Sequence, residues 1–122
     1  MDDSTLVSFL SESYDQQLGW YEELSDLCQK TLSRLILSRG NVAVVMDNFN
    51  RKQKILDLIV EERNRISGPV LLWQERKKSI TASEETTDLD ALFARTASAI
   101  KKFLDNEEQL KAYLENVTHK VH

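Results

Sequence analysis

Apolar side chains recur along most of this chain in steps of three and four, the spacing that lines one face of an α-helix. The first such run covers about residues 4–38. Leu10, Tyr14, Tyr21, Leu24, Cys28 and Leu35 form its seam, and Leu18, Leu27, Leu32 and Ile36 widen the stripe. Gln17 and Thr31 occupy two slots of the same seam, and Gly19 inside the run costs roughly 1 kcal/mol against alanine. Asp3 or Ser4 is the expected N-cap. Ser38-Arg39-Gly40-Asn41 stops the run: Gly40 suits the left-handed C′ position, Arg39 the negative end of the helix dipole, and Asn41 the N-cap of the next helix. So short a connection makes the two flanking helices antiparallel neighbours.

The second run covers about 42–66, with Val42, Val45, Phe49, Lys52, Leu56, Ile59, Arg63 and Ile66 in sequence on its seam. Val42 to Val45 alone would suit a strand, but the helical period that continues through Ile66 overrides that local preference. Ser67-Gly68-Pro69 interrupts the pattern, because proline removes a backbone donor and clashes one turn back. Pro69 is the expected first residue of a short or kinked helix over 69–79. Residues 80–87 lack periodicity and are rich in small polar groups, which predicts a mobile loop. Thr87 then caps a last helix over 88–118, with Asp88 and Asp90 favourable in its first turn. Leu89, Leu92, Thr96, Ile100, Phe103, Glu107, Leu110, Leu114 and Val117 form its seam, flanked by Phe93, Ala97, Leu104 and Tyr113. A stripe this apolar must be covered by something. The pattern predicts a single all-α domain over residues 1–122: a long antiparallel helical hairpin, a short kinked segment and a C-terminal helix, packed as a coiled-coil-like bundle of three to four helices.

Composition supports this picture. With three glycines and one proline in 122 residues, the chain has few turns and therefore long elements. A domain of this size buries enough core to fold without disulfides or metals. Cys28 is the single cysteine, so it has no partner for an internal disulfide and no second thiol for a zinc site. An acidic start, Met1-Asp2-Asp3, is unlike a secretory signal, and no apolar run reaches the length of a membrane span. The expected location is cytoplasmic. Charge is distributed unevenly: residues 1–40 carry a net −4 and residues 79–122 a net −3, while residues 51–78 carry +4. A basic middle between acidic flanks predicts helix-to-helix charge complementarity, with a docking face for an acidic partner as the alternative.

Catalytic and cofactor chemistry finds little footing. His119 and His122 lie in a terminal stretch without further ligands of clear spacing, and neither has an acid three residues before it, as diiron bundles require. Cys28 sits on a helical seam, where a small buried hydrophobe is expected, and no neighbouring base marks it as a nucleophile. The glycines are isolated, so no phosphate-binding loop is present. Arg51-Lys52-Gln53-Lys54 and Arg76-Lys77-Lys78 read as solvated helix surface in a chain of pI near 5.2, and nucleic acid is not an expected partner. Neither enzyme activity nor a cofactor or metal is expected.

One resemblance covers about a third of the chain. From Tyr21 to Arg63, a leucine-rich helix, a Gly-containing turn and a second helix carrying Phe49, Lys52, Ile55-Leu56, Ile59 and Glu61-Glu62-Arg63 resemble the FlgN-type flagellar export chaperones, and the layout is similar to the FliT-type as well. The resemblance implies a cytoplasmic chaperone for type III secretion that shields helical segments of a hook-associated or filament-cap substrate and hands them to the export apparatus. It implies substrate contact through the C-terminal helix, in helix-in-groove fashion. Phe93, Ile100, Phe103, Leu104, Leu110, Tyr113, Leu114 and Val117 are the expected protein-binding residues, and each could equally serve the intramolecular core. The competing expectation is a structural or adaptor helical protein, monomeric or homodimeric, that self-associates or scaffolds another assembly.

Overall fold

The computed structural model describes residues 1–80 and 82–121, with side chains through Val117. The side chains of His119 and His122, weighed above as metal ligands, lie outside the described ones. Among the described residues the protein is an all-α bundle of four helices: α1 (Asp3–Leu37), α2 (Met46–Arg65), α3 (Ser67–Arg76) and α4 (Glu84–Val121). Asp2 caps α1 by accepting from the Thr5 amide at 2.7 Å, one residue ahead of the expected caps. At the other end, Gly40 N–H donates to Leu35 O and Arg39 N–H to Ile36 O. These two bonds form a Schellman motif in which Arg39, not Gly40, is the C′ residue. Both residues are left-handed, at φ 57° and 86°. Asn41 then caps a single 3-10 turn, Val42–Val45, through a bond from the Ala43 amide, and α2 starts only at Met46.

α2 and α3 are two legs of one return path, broken at Ile66, which ends one and precedes the other. Pro69 sits in the first turn of α3, where its missing N–H leaves no bond unmade. α3 starts two residues earlier than proline placement alone suggests, because Ser67 Oγ donates back to Asn64 O and stabilises the corner. α4 starts four residues earlier than expected. Ser83 Oγ accepts from the Thr86 amide at 3.2 Å, and Thr86 Oγ1 accepts from the Ser83 amide at 2.8 Å. That reciprocal cap takes the place of a capping box and draws residues 84–87 into the helix.

The most extensive helix–helix contact is between α1 and α4. The two run parallel and in nearly constant register, with offsets of 78–82 residues: Tyr14 meets Phe93 edge-on with centroids 4.6 Å apart, Tyr21 meets Phe103, Cys28 meets Glu107, and Tyr113 Oη donates to Leu35 O. Parallel alignment follows from connectivity, since α2 and α3 carry the chain back to the start of α1 before α4 begins. The hairpin of α1 and α2 is present and antiparallel, with Ser13 against Glu62 and Thr31 against Asn48, but α4 is the larger partner of α1. Arg76 closes the far end, donating to Met1 O at 2.7 Å beside Asp3.

The core has two apolar halves. Leu6, Val7, Leu10, Ile66, Trp73 and Leu89 fill one; Tyr21, Leu24, Cys28, Leu35, Val45, Ile55, Ile59, Phe103 and Leu110 fill the other. Between them lies a polar layer to which all three long helices contribute: Ser13 and Gln17 from α1, Glu62 from α2 and Thr96 from α4, all buried. The buried face of α2 is therefore Ile55, Ile59, Glu62 and Ile66, one residue behind the Leu56 and Arg63 of the expected seam. The reason is Glu62. Its Oε2 accepts from Ser13 Oγ at 2.6 Å, and both its oxygens accept from the Arg65 guanidinium at 2.6–2.7 Å. Gln17 in turn donates to Ser13 Oγ. The carboxylate is thus buried with partners on every side, which is the condition for burying a charge at all. The basic middle of the chain meets its acidic flanks as charge complementarity: Arg51 pairs with Glu23, Lys52 with Glu107 and Arg76 with Asp3.

Candidate functional site

α1 is in close contact with every other helix, whereas α4 stands apart from the return path. Among the described residues no Cα atom of α2 or α3 comes within 8 Å of one in α4. Side chains bridge the gap only in places, leaving a groove along α4 in two stretches. Beside α3, a hollow of about 360 Å³ is lined by Tyr14, Val70, Trp73, Phe93 and Ile100 with Thr96 at its polar edge. Beside the start of α2, a second hollow of about 430 Å³ is lined by Phe49, Leu110 and Leu114 and rimmed by Lys52, Glu107, Lys111 and Glu115. Ile55, Ile59 and Phe103 close the bundle between the two stretches.

Local chemistry explains each lining. Trp73 and Phe93 lie 6.4 Å apart, tilted, and Phe93 also meets Tyr14 edge-on, so three rings from three helices meet in this hollow. At the other stretch Lys52 Nζ reaches Glu107 Oε1 at 2.8 Å across the gap and also lies 5.6 Å from the Phe49 ring centroid. Cys28 Sγ sits beneath this pair, 3.8 Å from the same carboxylate oxygen. Burial first, and then the Glu107 charge, push the thiol up to about 11. A thiol so protonated is no nucleophile at neutral pH.

The expected binding residues divide into three groups. Phe93, Ile100 and Leu114 line the groove, and Leu110 lies at its base as part of the core, 2% exposed. Phe103 is core, and Tyr113 and Val117 are half-buried where α4 meets the α1–α2 corner, Tyr113 through its bond to Leu35 O and Val117 against Gly40. Leu104 faces outward, 57% exposed. The groove runs toward a surface not read from sequence. At the α1–α2 corner Ile36, Leu37, Val42, Val44 and Met46 are all exposed, Leu37 by 84%, so one end of the bundle is apolar to solvent. Contiguous apolar surface of this kind marks interaction sites in soluble proteins. Its signal was present in the sequence as a run of large aliphatic residues on both sides of a turn, where polar residues are the rule.

Other chemistry has less to work with. Among the described residues no group of three or more His, Cys, Asp or Glu side chains is placed to hold a metal ion, and no helix is long and apolar enough to cross a membrane. Comparisons with family models, with curated proteins and with solved structures find no match to this chain.

Proposed function

We propose that this protein is an export-chaperone-like binder that holds and shields a helical segment of a secreted or flagellar partner in the cytoplasm. The observation that carries the reading is the two-stretch groove between α4 and the return path, which opens onto the apolar corner. A partner helix laid there would place apolar side chains at i, i+3, i+4 and i+7 against Phe93 and Ile100 at one stretch and Leu110 and Leu114 at the other. Trp73 and Phe49 form the opposite wall. Leu104 and Met46 stand exposed beside the seat and would be covered on binding. Lys52, Lys111, Glu107 and Glu115 along the rim would set register and exclude wrong partners more than they would add affinity. The preformed seat lets α4 keep its packing on α1 while a substrate helix binds, so release to the export apparatus need not unfold the bundle.

Co-expression and calorimetry with terminal helical segments of hook-associated and filament-cap proteins test this reading. A complex is expected, weakened at least tenfold by Leu104→Asp or Met46→Asp, which are exposed and leave the core untouched. No complex with any such segment would sink the proposal.

A further inference from the structure

A second groove lies between α1 and α4, and no residue of α2 or α3 lines it. It encloses about 890 Å³ over Leu18, Gly19, Ser25, Ala94, Ser98 and Ala99, with Glu22 and Asp26 on its α1 rim and Arg95 and Lys102 on its α4 rim. Its floor is built mostly of small side chains, and a Cβ on Gly19 would meet nothing within 4 Å. Ser25 is 4% exposed, yet its hydroxyl has no hydrogen-bond partner within the chain. A buried hydroxyl left unmade costs about 1–3 kcal/mol, a local cost that this small-residue wall carries among the described residues.

Register and charge name the occupant. Because α1 and α4 run parallel, each α1 position is level with the one about 79 residues further along, as Cys28 is with Glu107. Asp15 is then level with Arg95, and Glu22 with Lys102, each within one residue, or about 1.5 Å of rise. Both pairs repeat at a seven-residue spacing, so Asp15, two turns before the groove, shares a face of α1 with the rim residue Glu22, as Arg95 does with Lys102 on α4; Asp26, the other acid named on the α1 rim, is paired with Lys30 at 3.4 Å. The four side chains of the two pairs are exposed, and none makes an ion pair among the described residues. A two-fold axis parallel to the helices exchanges left and right at constant height. It therefore sets α1 of one copy over α4 of the other, with Asp15 and Glu22 opposite Arg95 and Lys102.

We infer that this groove is closed by a second copy of the chain, as a parallel homodimer in which α1 and α4 of both copies form a four-helix layer. The face is self-complementary in charge, and its small floor residues permit the close approach such packing needs. The dimer leaves the groove between α4 and the return path open in each copy, and it does not depend on the helix-binding function proposed above.

Sedimentation equilibrium over a concentration series tests the inference. The full chain should reach twice the 14.1 kDa monomer mass, with the dissociation constant rising as salt is added. Asp15→Lys with Glu22→Lys should raise that constant at least tenfold by setting base against base. Adding Arg95→Glu and Lys102→Glu to the same chain should restore association, which a merely misfolded variant would not do. Ser98→Trp, at an exposed position, should block the dimer while helicity is unchanged. A chain that stays monomeric throughout overturns the proposal, as does a dimer indifferent to both the charge reversal and Ser98→Trp. Occupation of the groove by a helix of another protein, with this chain monomeric, overturns it too.

Discussion

Gly40→Ala isolates the contact that fixes the end of α4. Gly40 has φ 86°, a conformation that costs an L-residue roughly 1–2 kcal/mol. A Cβ built there would also fall 2.6 Å from Val117 Cγ1, so the valine must move. Val117 is half-buried and near the end of its helix, so it yields more readily than a core residue, and the overpacking adds about 1 kcal/mol. The expected cost is therefore about 2–3 kcal/mol, read as a lower urea midpoint at unchanged slope. The two causes separate in a double-mutant cycle. In a Val117→Ala background the steric part disappears and the backbone part stays, so Gly40→Ala should cost about 1 kcal/mol less there than in the parent. Hydrogen exchange should show the same change as faster opening of α4 near Tyr113. If Gly40→Ala costs the same in both backgrounds, Val117 does not pack on the corner and the placement of α4's end is wrong.

The polar layer makes stability depend on acid. Hydrogen bonds from Arg65 and, less, from Ser13 hold the Glu62 carboxyl below its ordinary value of 4.5. Its contribution is present above that pH and lost as pH falls through the lower folded value, so Glu62→Gln should flatten the acid limb of a stability–pH profile and cost about 1–2 kcal/mol at pH 7. Lys52→Met combined with Glu107→Gln should show a coupling of about 1 kcal/mol in a double-mutant cycle, at the upper end for exposed pairs because this one is three-quarters shielded; a coupling near zero would remove the pair as a strap between α2 and α4. Cys28, raised to about 11 from 9, should resist alkylation at pH 8 in the native state and react quickly in urea. The same shift predicts stability that is full below pH 9 and declines toward pH 11, a decline that Cys28→Ala should lessen, with Tyr14, whose hydroxyl burial also pushes up, contributing to what remains.

Much of the site was legible residue by residue and not as a place. Phe93, Ile100, Leu110 and Leu114 stand out as apolar positions on one helix, but which wall faces them depends on where the return path lies. Lys52 and Glu107 occupy seam positions on separate helices, where a charge is costly unless answered, and that is a signal a sequence reader can use. Glu62 is harder to find: it falls on a step of three from Ile59 and four to Ile66, but so does its neighbour Arg63 in the opposite order, and only its three hydrogen bonds with Ser13 and Arg65 make it the buried one. The left-handed Arg39 was hidden by the glycine beside it, since glycine is the usual occupant of C′.

The sequence by itself determined the set of helices and the fact that each needs cover. A 3.6-residue period, Pro69 and the Ser38–Asn41 corner are local features, and local physics decides them. The tertiary structure alone decided the pairing: that α4 rather than α2 is the chief partner of α1, that it runs parallel to α1 in nearly constant register, and that this leaves one groove beside the return path and another, rimmed with charge, on the α1–α4 face. The physical reason is that apolar stripes are interchangeable at the level of periodicity. Which two stripes meet, and which surfaces stay open, depends on polar contacts such as Ser13 with Glu62 and Cys28 with Glu107, whose partners lie 49 and 79 residues apart.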